Sequence, residues 1–357
     1  MNSAKSNTLA IKNAAAAPLP REKIYKGLVW FAMFTVASLA VLFYATSTPE
    51  TLLALTKIDY RFLLLAAFLQ IVDIGLGGWR NHILVQKCKP GVKPWLCFKA
   101  QLANEFGAAV TPGQSGGGPA WLYVLHRGGI SLGSAVAVSV TVFLTTLIFM
   151  QVSTSVSAFA LSSHFTGHTF QYLLRFGFVV CTGLLLLIIL SLIIPGRIGS
   201  LFSAIARKLH RSQKRWRTRL ATVSEHIAGA IKQYQGSCML FMRKHCLSIV
   251  NVFLITGLYY LLKLHLAYVI LLGLGIEIDY FTALALLALL RFILYFSPTP
   301  GGSGIGEISI AALMSSLLPM YLLPVYTILY RFFLLFLPAA FGAWVLLSEL
   351  KGAAVKA

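Results

Sequence analysis

The sequence predicts an all-α polytopic membrane protein with about six full transmembrane helices and two re-entrant helical hairpins in inverted repeats. Of the 357 residues, 58% are hydrophobic and only 11% are charged, so a soluble domain of this size could not bury its apolar surface. Several windows of about 20 residues lack charged side chains, which is the length that a helix needs to cross the hydrocarbon core. These spans must be helical, because lipid offers no partners for open backbone groups.

The apolar runs define the predicted crossings and the domain boundaries. Six full crossings are expected at residues 27–47, 60–78, 131–155, 170–195, 246–270 and 321–348. The domains are a tail at 1–26, a first membrane half at 27–195, a basic loop at 196–245, a second membrane half at 246–350 and a tail at 351–357. Apolar residues at helical spacing predict that the basic loop lies on the membrane surface as amphipathic helices, with a plain solvated loop as the alternative.

The basic residues are unevenly distributed between the predicted loops. Of the 30 Lys and Arg residues, 24 lie in the N-terminus, residues 79–99 with Arg127, residues 196–245 and the C-terminal tail. The loops at 156–170 and 271–280 contain none. This pattern predicts a multi-pass protein of a bacterial inner (plasma) membrane with both termini in the cytoplasm. The net charge of +20 then faces anionic headgroups, and no motif for nucleic-acid binding accompanies it.

Two further apolar stretches, residues 94–128 and 280–318, are interrupted by clusters of Pro and Gly. The interruptions are Thr111-Pro-Gly-Gln-Ser-Gly-Gly-Gly118 and Thr299-Pro-Gly-Gly-Ser-Gly-Ile-Gly306, which share six of eight residues at an offset of 188 positions. The first stretch lies between basic residues and the second follows an acidic loop, so we expect two re-entrant hairpins that enter from opposite sides. Inverted repeats of broken helices are typical of transporters. The alternative is two unrelated turns that use the same glycine chemistry.

The broken helices predict a site for an anion, and a phospholipid headgroup is the abundant anion of a membrane. A helix that restarts after a glycine cluster presents unpaired backbone N–H groups, and arginines add forked pairs of donors for a phosphate. The predicted substrate-binding residues are Thr111, Pro112, Gly113, Ser115, Gly116, Gly118, Thr299, Pro300, Gly301, Ser303, Gly304, Gly306, Arg291 and Arg331.

Three acidic residues lie inside apolar stretches, where each charge costs at least ~2.5 kcal/mol. Asp73, Glu105 and Glu307 are therefore candidates either for ion coupling or for structural ion pairs with the arginines. For Glu307, which follows the second break directly, a further alternative is a cap that complements the dipole of the returning helix.

The sequence contains no pattern that indicates catalysis. Nucleophile elbows, phosphate-binding loops and clusters of metal ligands are missing, so we expect a protein that is not an enzyme and uses no cofactor. His164 and His168 are four residues apart, but Gly167 and an external loop argue against a metal site, and no metal is predicted.

The two breaks also resemble the signatures of the lysylphosphatidylglycerol synthase transmembrane region family, a flippase-like group also called UPF0104. The second signature is similar to Pro298–Glu307 followed by Tyr330-Arg331, and the first is similar to Thr111–Pro119 followed by His126-Arg127. The resemblance spans roughly residues 25–350. The chain departs from the pattern at Gly118, where many relatives carry an acidic residue.

This resemblance implies a lipid flippase or transporter that moves an anionic or modified phospholipid between leaflets. Its partners would be membrane lipids with anionic headgroups. Two alternatives remain open: an ion- or proton-coupled transporter of small solutes, and a membrane scaffold that docks a lipid-modifying or glycosyl-transferring enzyme through residues 196–245.

Overall fold

The computed structural model describes residues 21–46, 48–161, 246–315 and 317–354, together with six residues between 178 and 186. Every regular element in these ranges is helical, which confirms the predicted all-α class for the described part of the chain. Residues 1–20, most of the predicted crossing at 170–195 and the whole basic loop at 196–245 lie outside the described residues.

The described residues up to Leu161 form six helices and a short 3₁₀ turn. They are α1 (Arg21–Thr46), α2 (Pro49–Thr56), α3 (Tyr60–Cys88), α4 (Pro94–Val110), the 3₁₀ turn Pro112–Gln114, α5 (Gly117–Arg127) and α6 (Leu132–Ala160). The second half contains α7 (Cys246–Gly273), α8 (Tyr280–Tyr295), the 3₁₀ turn Pro300–Gly302, α9 (Ile305–Met314), a 3₁₀ turn Met320–Leu322, α10 (Leu323–Arg331), a π-helical segment Phe332–Phe336 and α11 (Leu337–Ala354).

Four stretches of the described chain are long and apolar enough to cross a membrane. They are Tyr60–Cys88, Leu132–Ala160, Leu247–Gly273 and Met320–Glu349. Thr35–Tyr44 and Pro49–Thr56 satisfy the same test together, although a bend of 111° separates them. The four straight stretches coincide with four of the six predicted crossings, and the two broken stretches form pairs of shorter helices as predicted.

Helix α3 is ten residues longer at its C-terminal end than the crossing predicted at 60–78. Arg80, Asn81 and His82 made the apolar run appear to end, but all three side chains are buried against the protein. A polar residue that faces neighbouring helices does not interrupt a membrane helix, because the protein supplies its partners.

The two broken helices have matching backbones at their breaks. Pro112–Gln114 and Pro300–Gly302 are both 3₁₀ turns, and they are separated by the same 188 positions as the sequence motifs. Gly113 and Gly301 both adopt the left-handed conformation, with φ of 59° and 57°. Glycine enters this region without steric cost, which explains why both breaks contain it at this position.

One helix of each half packs against the hairpin of the other half. Helix α6 packs along α8, and α11 packs along α4, while α3 and α7 lie side by side between them. Apolar core residues fill both contacts, with Ala103 and Phe106 of α4 near Ala339 and Leu346 of α11 in one cluster. The two hairpins are held together in this way, and their breaks contact each other.

Candidate functional site

The two breaks touch through the side chain of Gln114. Its Nε2 donates hydrogen bonds to the backbone oxygens of Tyr295 at 3.2 Å and Leu294 at 3.4 Å, at the C-terminal end of α8. Gln114 has a φ of 58°, the one positive φ of a non-glycine residue in the described ranges. Strained conformations of this kind persist where the surrounding contacts hold them. The side chain therefore connects the first break to the second.

The first break is stabilised by its own hydroxyl groups. Thr111 Oγ1 donates to the carbonyl oxygen of Gly107 at 2.7 Å and accepts from the backbone N–H of Gly116 at 2.7 Å. Ser115 Oγ donates to the carbonyl oxygen of Pro112 at 2.9 Å. Pro112 and Ser115 lie on the exposed tip of the turn. Both hydroxyls predicted to contact an anion thus already have partners within the turn.

The second break is held by a buried arginine. Arg331 donates from Nη1 to the carbonyl oxygen of Gly301 at 2.5 Å and from Nη2 to that of Gly302 at 2.8 Å. Its Nη2 also lies 3.0 Å from a carboxylate oxygen of Glu307. The same carboxylate accepts the backbone N–H of Gly304 at 2.6 Å. Both alternatives considered for Glu307, the cap and the ion pair, describe its geometry.

The hydroxyl groups of the second break also have protein partners. Ser303 Oγ is 2.9 Å from Thr35 Oγ1 of α1, and Thr299 Oγ1 is 3.0 Å from Ser297 Oγ. Gly306 packs so closely on the Arg331 guanidinium that a Cβ atom would overlap it. A side chain here would displace the arginine, so the glycine serves the ion pair rather than a ligand.

A cavity of ≈ 420 Å³ lies beside the junction of the two breaks. The cavity lies about halfway along two helices of membrane length, since its lining residues Thr146 and Tyr259 are at the midpoints of α6 and α7. Its polar lining comes from α3, α4, α6, α7, α8 and the first break: Arg80, Asn81, Gln101, Asn104, Glu105, Gln114, Ser139, Thr146, Tyr259, Tyr260, Arg291 and Tyr295. The cavity is therefore a polar space inside an apolar bundle.

Glu105 accepts two hydrogen bonds on one carboxylate oxygen. Gln101 Nε2 and Tyr259 Oη each donate to Oε1 at 2.9 Å. Gln101 is in turn oriented by Asn81, whose Nδ2 donates to Gln101 Oε1 at 3.0 Å. The network fixes the carboxylate at the cavity wall. It leaves Oε2 without a hydrogen bond from any described residue.

Two arginines with unsatisfied donors line the same cavity. The Arg80 side chain is buried, with its guanidinium carbon 4.8 Å from the centre of the Tyr259 ring. Its Nε and Nη1 atoms, and Nε of Arg291, have no hydrogen-bond partner among the described residues. Buried donors without partners cost about 1–3 kcal/mol each, and more when charged. Both arginines therefore retain hydrogen-bonding capacity that no described residue uses.

A second buried ion pair lies next to this network. Lys263 Nζ is 2.6 Å from Asp73 Oδ2, and both side chains are at most 2% exposed. Lys263 Nζ is also 4.6 Å from the centre of the Tyr259 ring. Asp73 is neutralised by its own partner and is absent from the cavity lining. The position of Asp73 therefore agrees with a structural ion pair, one of the two alternatives predicted for this residue.

The charges at the cavity wall favour an anion. Arg80 and Arg291 carry two positive charges and Glu105 one negative charge, so the described lining has an excess of one positive charge. A charge inside a low-dielectric bundle is stabilised by a counter-charge that supplies acceptors to its donors. A phosphate group meets both requirements, since its oxygens can accept from two guanidinium groups.

Only part of the predicted site reaches the cavity. Gly113, Gly118, Arg291 and Glu105 line it. Gly301 and Arg331 line a smaller cavity of ≈ 70 Å³, which shares Glu105, Arg291 and Gln114 with the larger one. The other predicted binding residues line neither: Thr111, Pro112, Ser115, Gly116, Thr299, Pro300, Ser303, Gly304 and Gly306.

Several lining residues were not among the predicted binding residues. Arg80 belongs to the basic segment 79–99 that was predicted to face the cytoplasm, and Gln114 is part of the first Pro and Gly cluster. A signal for two others existed, because Gln101 is four residues before Glu105, and Tyr259 is four before Lys263. Such spacing places polar side chains on one face of a helix.

No group of three or more His, Cys, Asp or Glu side chains that could hold a metal ion occurs among the described residues. His164 and His168 lie outside them. No cofactor-binding residues were predicted from the sequence, and the polar cavity lining is made of amides, hydroxyls, arginines and one carboxylate.

Comparison with known proteins agrees with these features. A UPF0104 membrane protein from Archaeoglobus fulgidus is 23% identical over 316 residues, which cover 87% of this chain and 93% of the relative. The profile of the lysylphosphatidylglycerol synthase TM region matches residues 27–342, a stretch that includes both breaks and every charged residue of the cavity. The chain therefore belongs to the lysylphosphatidylglycerol synthase TM region family of multi-pass membrane proteins.

Proposed function

We propose that this protein is a lipid flippase or transporter that moves an anionic or modified phospholipid between the leaflets of a bacterial inner membrane. It acts without catalysing a chemical reaction, and both of its termini face the cytoplasm. The family name, which refers to a phospholipid synthase, supports a role in phospholipid handling. The observation that carries the proposal is the cavity with the unpartnered donors of Arg80 and Arg291.

The position of the cavity fits a headgroup in transit. A phospholipid headgroup needs a polar environment in the middle of the membrane, while its acyl chains remain in the surrounding lipid. The cavity supplies charged and amide groups from α3, α4 and α8 and from the first break, and it also contacts the midpoints of α6 and α7. A volume of ≈ 420 Å³ accommodates a glycerophosphate group with a small substituent.

The repeated breaks supply a means of alternating access. In transporters built from inverted repeats, the substrate site lies between broken helices near the midplane, and one repeat rocks against the other around it. The breaks of this chain meet beside the cavity through Gln114. In this proposal the hairpins open the cavity in turn to each leaflet.

The decisive experiment measures leaflet transfer of fluorescent phosphatidylglycerol in proteoliposomes. Arg80→Gln and Arg291→Gln are each expected to reduce the transfer rate at least tenfold, because each removes a charged donor worth about 1.5–3 kcal/mol to a phosphate. Arg61→Gln is the matched control, since Arg61 is exposed at the start of α3 and lies outside the cavity lining. Equal rates for all four proteins would refute the proposal.

A second candidate function is an ion- or proton-coupled transporter of small anionic solutes. It is favoured by Glu105, which lines both cavities and could exchange an ion with either side. Flux of a soluble organic phosphate that is saturable, lost in Arg291→Gln and unaffected by lipid headgroup identity would support it over lipid transfer.

A further inference from the structure

Glu105 differs from the other acidic residues inside the bundle. Asp73 is paired with Lys263 at 2.6 Å, and Glu307 is paired with Arg331 at 3.0 Å. Glu105 has no Lys, Arg or His nitrogen within 4.0 Å among the described residues. It is also the one acidic residue in the described lining of either cavity. Its charge is therefore the interior negative charge that a ligand in the cavity affects most directly.

The geometry of Glu105 allows it to bind a proton without losing a contact. Both of its hydrogen bonds, from Gln101 and Tyr259, reach Oε1. A proton on Oε2 leaves these two bonds in place, because a neutral carboxyl group retains an acceptor oxygen. Protonation of Asp73 or Glu307, in contrast, would remove half of a buried ion pair.

Charged and titratable groups face Glu105 from four neighbouring helices. They are Asp73 and Arg80 of α3, Tyr259, Tyr260 and Lys263 of α7, Arg291 and Tyr295 of α8, and Tyr330 and Arg331 of α10. The lining residues contributed by α5 and α6 are uncharged. The positive charges of this set hold the carboxylate ionised while the cavity contains no anion.

A bound anion changes that balance. A phosphate that accepts hydrogen bonds from Arg80 and Arg291 neutralises the groups that stabilise the carboxylate, and it brings a like charge into the same cavity. Two unit charges about 5 Å apart at an effective dielectric constant of about 20 change proton affinity on the order of a hundredfold. Binding of the anion and binding of the proton therefore favour each other, as linkage requires.

We propose that Glu105 takes up one proton when an anionic headgroup enters the cavity, and that this proton couples headgroup movement to the transmembrane proton gradient. The inference rests on the proposed lipid-transport function and adds its energy source. The proton comes from the aqueous phase, binds Oε2, and returns to water when the headgroup leaves. One proton moved with one monoanionic headgroup transfers no net charge, so a pH gradient drives the step and a membrane potential does not.

Proton uptake on ligand binding tests the inference in detergent. Short-chain phosphatidylglycerol is added to the full-length protein in weakly buffered solution containing a pH indicator. The wild type is expected to take up most of one proton per bound lipid near about pH 5.5, where a hundredfold gain in proton affinity converts a carboxylate from mostly ionised to mostly protonated. Glu105→Gln is expected to take up none while binding the lipid at least as tightly. Asp279→Asn is the matched control, because Asp279 is an exposed acid outside both cavities, and Asn also caps helices. Equal uptake by wild type and Glu105→Gln, or no uptake by either, overturns the inference.

Transfer in proteoliposomes separates this inference from the proposed function. Wild-type transfer of fluorescent phosphatidylglycerol should accelerate severalfold in an imposed pH gradient and remain constant in a potassium-diffusion potential. Glu105→Gln should transfer lipid at a rate independent of the pH gradient. Wild-type transfer that depends on Arg80 and Arg291 but does not change with the pH gradient would support the proposed flippase function and contradict proton coupling. Absence of transfer under every gradient would refute the flippase, and the uptake measurement would still decide whether Glu105 is protonated.

Discussion

Arg331 and Glu307 form an ion pair across 3.0 Å, and this pair exists at the second break alone. The positions 188 residues earlier hold Phe143 and Pro119, which cannot form it. The two breaks share a backbone conformation, yet one is held by a buried guanidinium and the other by the hydroxyl of Thr111. The two breaks are therefore stabilised by different interactions.

Removing Arg331 should destabilise the whole bundle. Arg331→Met leaves the Glu307 carboxylate and two glycine carbonyls buried without their partner, and breaking a buried pair in this way costs about 3–5 kcal/mol. The measurement is the free energy of unfolding in mixed micelles. Arg61→Met, at an exposed position, should change it by less than about 0.5 kcal/mol. The double variant Arg331→Met with Glu307→Met should recover part of the loss, and no recovery would contradict the assignment of the pair.

The left-handed conformation of Gln114 predicts an unusual order of stability among variants at this position. Gln114→Gly removes its two side-chain hydrogen bonds but also relieves backbone strain, so the net loss of unfolding free energy should be about 1 kcal/mol or less. Gln114→Val adds a β-branched side chain at positive φ and should cost more than about 2 kcal/mol. Thermal denaturation in detergent gives the order, and a valine variant as stable as the glycine variant would be inconsistent with this backbone.

Two glycines of different surroundings provide a matched pair of substitutions. A Cβ atom on Gly342 of α11 would overlap the carbonyl oxygen of Leu102 on α4, whereas nothing lies within 4 Å of the position for Gly118. Gly342→Ala should therefore push α11 away from α4 and cost about 1–3 kcal/mol, while Gly118→Ala should be neutral or slightly stabilising. Unfolding free energies of the two variants, each relative to wild type, test this contrast. Equal losses would show that α4 and α11 do not cross at this glycine.

Asp279, which lies in the loop before α8 and outside the membrane-spanning segments, predicts that the stability of the protein depends on pH. The backbone N–H and the hydroxyl of Thr282 both donate to its carboxylate, at 2.8 and 2.9 Å, and lower the pKa of Asp279 below its ordinary value of 3.8. A lowered native pKa means that the stabilising effect is complete above the ordinary pKa and is lost as the pH falls through the native pKa. The melting temperature of Asp279→Ala should lie below that of wild type at neutral pH, and the two should converge toward pH 3. A constant difference down to that pH would exclude the carboxylate as its cause.

The sequence contained enough information to predict the class of fold and the main breaks in the helices. Apolar length alone located α6, α7 and the last crossing to within a few residues, because lipid tolerates only helices there. The Pro and Gly residues of the Thr111 and Thr299 motifs located both 3₁₀ turns, since glycine and proline determine backbone conformation locally. These features depend on neighbouring residues in the chain.

The site was harder to predict because it depends on side chains from distant parts of the chain. Arg331 was expected to bind the ligand, but the structure satisfies its terminal nitrogens with Gly301, Gly302 and Glu307. Arg80 seemed to mark the end of a crossing, although it is buried and faces Tyr259 of α7. No local pattern distinguishes an arginine that is paired from one that faces a cavity. That distinction appears only when α3, α7 and α8 are packed together.

The exchange of partners between the two halves has a consequence for how the protein is made. Helix α6 leaves the ribosome well before α8, the hairpin helix on which it packs, and α4 is made long before α11. Helix α1, the earliest described segment, packs on α9 and α10 near the end of the chain. Neither half can reach its native arrangement until synthesis is nearly complete. The early helices must therefore reside in the bilayer as separately inserted segments, and assembly of the bundle follows insertion of the last one.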